Sequence, residues 1–191
     1  MTKTPAFVLG NGKSRMLFEP EKLAIHGWVY GCNALYRTFT PKVLVATDRP
    51  ISNEIMDSGY PTKHEFWTRR PREGTNAHKI ERPSYGMSSG PVAISRAAIR
   101  GHETIYFLGF DLGSPTEFFN NIYADTEHYK SSKDKATYAG NWINQIKEVA
   151  SNFEKTNFVR VVGPESSKVD FGRKNIDLMS TKDLKRKLKR G

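Results

Sequence analysis

Residues 6–15 read Ala-Phe-Val-Leu-Gly-Asn-Gly-Lys-Ser-Arg. The four apolar residues are typical of a buried strand, and the glycines that follow are typical of a tight turn before a polar helix start. In α/β proteins this order builds an anion cradle, because glycines let the backbone approach a phosphate and the amides of the next helix face it. The stretch therefore predicts a first strand and a phosphate-binding loop containing Gly10, Asn11, Gly12 and Ser14.

Two familiar phosphate motifs do not fit this loop. The dinucleotide fingerprint G-x-G-x-x-G requires glycine at position 15, where the chain has Arg15. A Walker A loop ending at Gly12-Lys13-Ser14 requires its leading glycine at position 7, which is Phe7. The loop belongs to neither motif, and a plain turn without a ligand is the alternative.

Composition limits the class of protein. The 191 residues suffice for one domain with a sizeable core. No apolar run reaches the roughly 18 residues of a membrane span, and the N-terminus lacks a signal-peptide core. The single cysteine, Cys32, cannot form an internal disulfide, which favours a reducing, cytoplasmic setting. One cysteine and five scattered histidines give no zinc-ligand spacing, so no structural metal is expected.

The positive charge is concentrated at the end of the chain. The formal net charge is +10, and residues 181–191 contain six cations and one anion. Such an end is either a solvated, partly helical appendage or a surface that captures nucleic acid or another polyanion. The chain is predicted to consist of a nucleotide-binding α/β domain at 1–165 and a basic C-terminal extension at 166–191.

Short apolar segments alternate with helical patterns along the first 160 residues or so. Strands are predicted at 6–9, 28–31, 43–46, 104–108 and 158–162, with a further candidate at 64–68. Helices are predicted at 19–27, 88–101 and 134–153. This alternation predicts a single Rossmann-like α/β domain with a mostly parallel sheet and helices on both faces.

Two irregular zones interrupt the pattern and are candidate lid loops. Residues 69–84 are polar, basic and punctuated by proline, which is typical of a mobile surface loop or a lid over a site. Residues 113–133 are polar but carry several aromatic rings: Phe118, Phe119, Tyr123, His128 and Tyr129. These rings either line a pocket or anchor the loop to the core.

Polar residues follow four of the predicted strands. Asn11 follows the first, Asn33 the second, Asp48 the third and Asp111 the strand at 104–108. Open parallel sheets bind ligands at the carboxyl ends of their strands. These side chains are therefore predicted to bind the ribose and base of a nucleotide while the glycine loop holds its phosphate.

Several segments together resemble a known family. They are Val-Leu-Gly-Asn-Gly-Lys-Ser at 8–14, Tyr-Gly-Cys-Asn-Ala-Leu-Tyr at 30–36, Met-Ser-Ser-Gly at 87–90, Ile-Tyr-Phe-Leu-Gly-Phe-Asp-Leu at 105–112, and His128-Tyr129. In this order they resemble the bacterial sialyltransferases of glycosyltransferase family 42. They are also similar to a related Rossmann-like group that includes the archaeal 6-hydroxymethylpterin diphosphokinases. The resemblance spans about residues 5–130.

The resemblance implies a set of roles. The nucleotide of a CMP-activated sugar would be held by Asn11, Ser14, Asn33, Ser88, Ser89, Gly90 and Asp111. His128 would be the general base that takes the proton of the acceptor hydroxyl, since imidazole can do this near neutral pH without a metal. Tyr123 would approximate a tyrosine that stabilises the leaving phosphate.

The chain departs from the family at two positions. The family has an arginine where this chain has Gly86, and the first of its two tyrosines aligns with Gly113. Lys13 or Arg15 is a candidate replacement for the missing positive charge.

Three functions remain open on the sequence. The first is a metal-independent glycosyltransferase-like enzyme that uses a CMP- or UDP-linked sugar as co-substrate, with nucleic acid among its candidate acceptors and no other cofactor. The second is a diphosphokinase whose Mg²⁺ would be bound by Asp48 and Asp111. The third is a non-catalytic nucleotide- or nucleic-acid-binding protein, whose binding would be strongly salt-dependent.

Overall fold

The structure is a computed structural model that describes residues 1–190. Its strands are β1 (Ala6–Leu9), β2 (Trp28–Cys32), β3 (Val43–Val45), β4 (Phe66–Thr68), β5 (His78–Lys79), β6 (Thr104–Leu108), β7 (Asn157–Val162) and β8 (Ile176–Ser180). Its α-helices are α1 (Pro20–Ala24), α2 (Arg49–Asp57), α3 (Ser89–Ile99), α4 (Gly140–Asn152) and α5 (Thr181–Arg190). Short 3₁₀ turns lie at Lys13–Leu17, Asn33–Arg37 and Tyr60–Thr62.

The eight strands form one sheet in the order β5-β4-β3-β2-β1-β6-β7-β8, and every strand pair is parallel. The predicted Rossmann-like α/β architecture is confirmed. The chain leaves β1 toward β2–β5 and then crosses to β6 on the other side of β1. The loops after β1 and β6 therefore diverge, and such a switch point is where open α/β sheets bind ligands.

Both faces of the sheet are covered by helices. Ala6 and Val8 of β1 pack in the core shared with α3 and α4, whereas Phe7 and Leu9 pack in the core shared with α1 and α5. All four side chains are buried. This two-sided burial explains why the strand reads as a continuous apolar run rather than an alternating one.

The predicted strands at 6–9 and 104–108 match β1 and β6, and those at 28–31, 43–46 and 158–162 match β2, β3 and β7 to within one residue. The helix predicted at 134–153 is wrong at its start, because α4 begins at Gly140. The backbone of Asp134 and Ala136 instead bonds to Phe119 and Glu117 of the second irregular zone. Tertiary pairing has replaced the first turns of the predicted helix.

The predicted basic extension contributes to the same sheet as residues 1–165. Within its described part, β8 pairs with β7 over residues 176–180, and Leu184 of α5 is fully buried against the sheet face that α1 covers. The basic end is thus helical and packed. No helix within residues 1–190 combines the length and the apolar character that crossing a bilayer requires.

Candidate active site

A cleft of about 550 Å³ opens at the carboxyl ends of β1, β2, β3 and β6. Ten of the twelve predicted site residues line it: Gly10, Asn11, Gly12, Asn33, Asp48, Ser88, Ser89, Gly90, Asp111 and His128. Other lining residues come from the second irregular zone and the start of α4, including Phe119, Asn120, Tyr129, Lys130 and Trp142. The polar groups predicted at separate strand ends therefore share one cavity.

The glycine loop after β1 is built against the loop after β6. The amide of Gly10 donates to the carbonyl of Leu108, and that of Gly12 to the carbonyl of Gly109, both at 2.8 Å. A Cβ on Gly12 would lie 2.4 Å from Oδ2 of Asp111, far inside contact distance. Glycine is required at position 12 by this close approach.

Asp111 ties three loops together. Its Oδ2 accepts from the Ser14 amide at 3.1 Å and from Nδ2 of Asn120 at 3.2 Å, and its Oδ1 accepts from Oγ of Ser166 at 2.8 Å. The carboxylate is buried. Asp111 therefore holds these loops together at the cleft, whereas Ser14 is buried and lies outside the cleft lining.

A buried arginine fixes the loop after β6. Arg160 of β7 donates from Nε to the carbonyl of Phe110, from Nη2 to that of Asp111 and from Nη1 to that of Ser167, at 2.8–3.0 Å. Burial lowers the pKa of its guanidinium to about 10, an effect that the Asp111 charge partly opposes. No sequence signal indicates this role, because Arg160 lies within an apolar strand pattern.

The first turn of α3 forms one wall of the cleft. Oγ of Ser89 accepts from the Thr47 amide at 3.0 Å and donates to Oδ1 of Asn33 at 2.9 Å. The amides of Ser89 and Gly90 have no acceptor within residues 1–190, as expected for a first helical turn. A helix N-terminus with free amides carries partial positive charge and favours an anion.

Several buried polar atoms around the glycine loop lack partners. Oδ1 of Asn11 is one of them, and Asn11 lines the cleft. Oγ of Ser14 and Nη1 of Arg15 are also buried without a partner in the described chain. Buried polar atoms are nearly always hydrogen-bonded in folded proteins. The orphaned oxygen of Asn11 is thus a group that a bound ligand would satisfy.

His128 lies beside a buttressed carboxylate. Its Nε2 is 3.2 Å from Oε2 of Glu54 in α2. Arg37 donates to both oxygens of Glu54, at 2.8 and 2.5 Å, and the Tyr36 hydroxyl donates to Oε1. The hydrogen bond from Arg37 is the main cause that holds the pKa of Glu54 below its ordinary value.

The same corner offers three potential metal ligands. Glu54, Glu127 and His128 each place one potential ligand atom here, and these three atoms lie within 4.8 Å of one another. Arg37 already neutralises Glu54, so a cation placed there would meet a guanidinium as well as a carboxylate. This arrangement is a poor cation site.

Of the two tyrosines in the second zone, Tyr129 rather than the predicted Tyr123 reaches the cleft. Tyr123 lies outside the lining, where its hydroxyl accepts from Nη2 of Arg15 at 3.3 Å. The Tyr129 ring lies 5.4 Å from that of Tyr123, and its hydroxyl accepts from the Ala34 amide at 3.2 Å. Burial raises the pKa of the Tyr129 phenol, so it is a neutral hydrogen-bond donor.

The lining of the cleft shows which basic side chain could supply the positive charge at the site. Neither Lys13 nor Arg15 lines it, whereas Lys130 does, and no other lysine or arginine of the described chain is in the lining. Of the two predicted lid zones, 113–133 contributes to the lining and 69–84 does not. Lys130 was missed because nothing in an irregular polar segment distinguishes one lysine from its neighbours.

Glu54 was missed together with its helix, although α2 has a sequence signal. Asp48 is its N-cap residue, Pro50 lies in its first turn, and Ile51 and Ile55 are buried one turn apart. That pattern would have placed Glu54 on a helix beside the cleft.

The chain is similar to known proteins in its three-dimensional structure. No protein-family model matches the chain, and no curated protein matches it significantly. A variant of the sialyltransferase Cst-II in complex with CMP superimposes with a TM-score of 0.52 at 13% identity, covering 82% of this chain and 80% of that one. The monofunctional α-2,3-sialyltransferase Cst-I from Campylobacter jejuni gives 0.53 at 13% identity, covering 98% and 94%.

The chain has the fold of these sialyltransferases. Their low identity leaves the chemistry to be argued from this chain's own residues. Neither structure is a diphosphokinase, so that part of the predicted resemblance gains no support.

Proposed function

We propose that this chain is a glycosyltransferase that moves a sugar from a CMP- or UDP-linked donor to a hydroxyl acceptor. The observation that carries the proposal is one cleft at the switch point that combines the glycine loop, the free first turn of α3 and His128. The shared fold with a CMP-complexed sialyltransferase supports the same interpretation.

The cleft offers separate partners for each part of a donor. The amides of Ser89 and Gly90, with Lys130, would bind the phosphate. Asn11, with its unpartnered Oδ1, and Asp48 are suited to the hydroxyl and amino groups of a nucleoside.

In the reaction, the acceptor oxygen attacks the anomeric carbon of the sugar while His128 takes the hydroxyl proton. The bond between that carbon and the phosphate oxygen breaks, and its electron pair leaves with the nucleotide. Lys130 and the α3 amides stabilise the charge that develops on the leaving phosphate. This route needs no metal, because protein groups supply both the base and the positive charge.

A thermal-shift panel tests donor binding. We would measure unfolding of the wild type, Asn11→Ala and the control Asn152→Ala, whose side chain is exposed at the end of α4. The ligands are CMP, CDP, UDP, GDP and ATP, each with and without Mg²⁺. A nucleotide at about 100 times its Kd stabilises the fold by roughly 2.7 kcal/mol.

We expect stabilisation by CMP or UDP without Mg²⁺, lost in Asn11→Ala and kept in Asn152→Ala. Stabilisation by ATP only with Mg²⁺ would favour the diphosphokinase instead. That alternative is weakened by Asp111, since Ser14, Asn120 and Ser166 already use its oxygens. Absence of any shift would overturn the proposal.

A nucleic-acid role has one observation in its favour, the basic face of α5. Lys182, Lys185, Arg186 and Lys189 lie together there. As an acceptor or a partner, nucleic acid would bind with a steep salt dependence that shrinks when these residues become alanine. A non-catalytic binder would show this dependence with no donor turnover, and His128→Ala would leave its binding unchanged.

A further inference from the structure

The corner of the cleft behind His128 contains a carboxylate with no assigned role. Glu54 lies on α2, Arg37 on the 3₁₀ turn after β2, and His128 on the irregular zone after β6. The three side chains meet although they come from three separate segments. Their exposed fractions are 24%, 27% and 26%, so the group is partly shielded from water.

The protonation states of this corner follow from its contacts. Arg37 and Tyr36 both donate to Glu54, and Arg37 holds the pKa of Glu54 below its ordinary value. Glu54 is therefore an ionised acceptor with no proton of its own to give. The ring nitrogen of His128 that lies 3.2 Å from this carboxylate is Nε2, and an acceptor-only oxygen favours a hydrogen rather than a lone pair on the nitrogen beside it.

The backbone around His128 is held in an unusual conformation. His128 has φ of +70°, a left-handed value that costs a non-glycine residue about 1–2 kcal/mol. The segment is retained by contacts on both sides, including the Tyr129 hydroxyl with the Ala34 amide and the Tyr123 hydroxyl with Arg15. Strain of this kind persists where the surroundings over-determine a functional conformation.

We propose that Glu54 is a positioning residue that fixes the His128 ring with Nε2 protonated, leaving Nδ1 as the atom that takes the acceptor's proton. The role of Nδ1 as the base rests on the proposed function, whereas the orientation of the His128 ring by Glu54 does not. Arg37 and Tyr36 take part by holding the carboxylate in place. A carboxylate also orients the base in the Ser-His-Asp triad of serine proteases, although there it bonds Nδ1 and Nε2 is the base.

The first test is NMR of the protein with ¹⁵N-labelled histidine, in the absence of substrate. Glu54→Met removes the carboxylate. Glu54→Asp keeps a negative charge near Arg37 but withdraws the oxygens from Nε2 by one methylene. Glu127→Gln is the matched control, because its carboxylate is 78% exposed and lies 3.9 Å from the same nitrogen.

We expect a single tautomer of His128 in the wild type, protonated at Nε2 with a slowly exchanging proton. Both Glu54 variants should show a mixture of tautomers with rapid proton exchange, while Glu127→Gln should match the wild type. A wild-type ring protonated at Nδ1, or unchanged ring signals in both Glu54 variants, would overturn the proposal. Thermal unfolding of each variant checks that it is folded.

The second test separates this proposal from the proposed function. With a donor that the thermal-shift panel identifies, Glu54→Asp should lower kcat about 10-fold or more and leave the donor KM unchanged. If the tautomer results are as expected but no nucleotide sugar is turned over, the positioning of His128 stands and sugar transfer fails. If the wild type turns over the donor and Glu54→Asp has the same kcat, the claim that Glu54 positions His128 for catalysis is overturned.

Discussion

Arg160 shows how a single interior residue can hold a site that it does not touch. Its guanidinium lies beneath the loop after β6 and donates to three backbone carbonyls, one of them that of Asp111. A buried cation is costly unless its donors are all used. Here every nitrogen of the guanidinium bonds to a carbonyl. These hydrogen bonds offset the cost of burying the charge, and they fix the loop after β6.

We predict that Arg160→Met destabilises the protein by about 3 kcal/mol or more, because the buried carbonyl of Phe110 loses its donor and the carbonyls of Asp111 and Ser167 each lose one hydrogen bond. Urea unfolding measures this. The control is Arg173→Met, since Arg173 is exposed and makes no side-chain hydrogen bond in the described chain. Equal stability of the two variants would show that the Arg160 contacts contribute nothing.

The glycine loop after β1 and the first turn of α3 both rely on a glycine that permits close packing. The loop after β1 can approach the loop after β6 only because Gly12 has no side chain, and Gly90 allows α3 to approach Phe110 in the same way. Both close approaches narrow the switch point between β1 and β6. The shape of the cleft at this point therefore depends on packing between elements as much as on the glycine loop itself.

We predict that Gly12→Ala abolishes the nucleotide-induced thermal shift and destabilises the fold by about 1–3 kcal/mol, because the methyl would overlap the Asp111 carboxylate and the Gly109 carbonyl. Gly59→Ala is the comparison. Gly59 has φ of +74° with open space around it, so alanine should cost about 1 kcal/mol of strain and leave the ligand shift intact. A normal ligand shift in Gly12→Ala would contradict the close-approach argument.

In the molecule as a whole, the basic helix α5 both carries positive charge and packs against the sheet. α5 carries much of the positive charge, yet Leu184 is fully buried and Leu188 packs against the same core as β1 and β7. One stripe of the helix thus completes the sheet's hydrophobic cover while another presents lysines outward.

We predict that Leu184→Ala destabilises the whole protein by about 2–5 kcal/mol, as expected for a buried leucine. Lys182→Ala should change stability little, because its side chain is exposed. Urea unfolding compares the two. If both substitutions were neutral, α5 would be an appendage in solution, as a basic tail suggests from sequence.

Much of the fold was predictable because its signals are local. The apolar runs at β1 and β6 and the glycines after β1 are set by neighbouring residues, and parallel strands end at one edge, which placed Asn11, Asn33 and Asp111 together. Elements with weak local patterns, such as the two-residue β5 and the edge strand β8, with Leu178 largely exposed, escaped detection.

The sequence by itself determined the fold class, the glycine loop and the polar strand-end residues that reach the cleft, since strand periodicity and turn chemistry act over a few residues. Only the tertiary structure decided that Glu54 faces His128, that Tyr129 rather than Tyr123 reaches the cleft, and that Arg160 holds the loop after β6. These contacts join residues far apart in the chain. Such contacts depend on how the elements pack in three dimensions, and local sequence patterns therefore do not predict them.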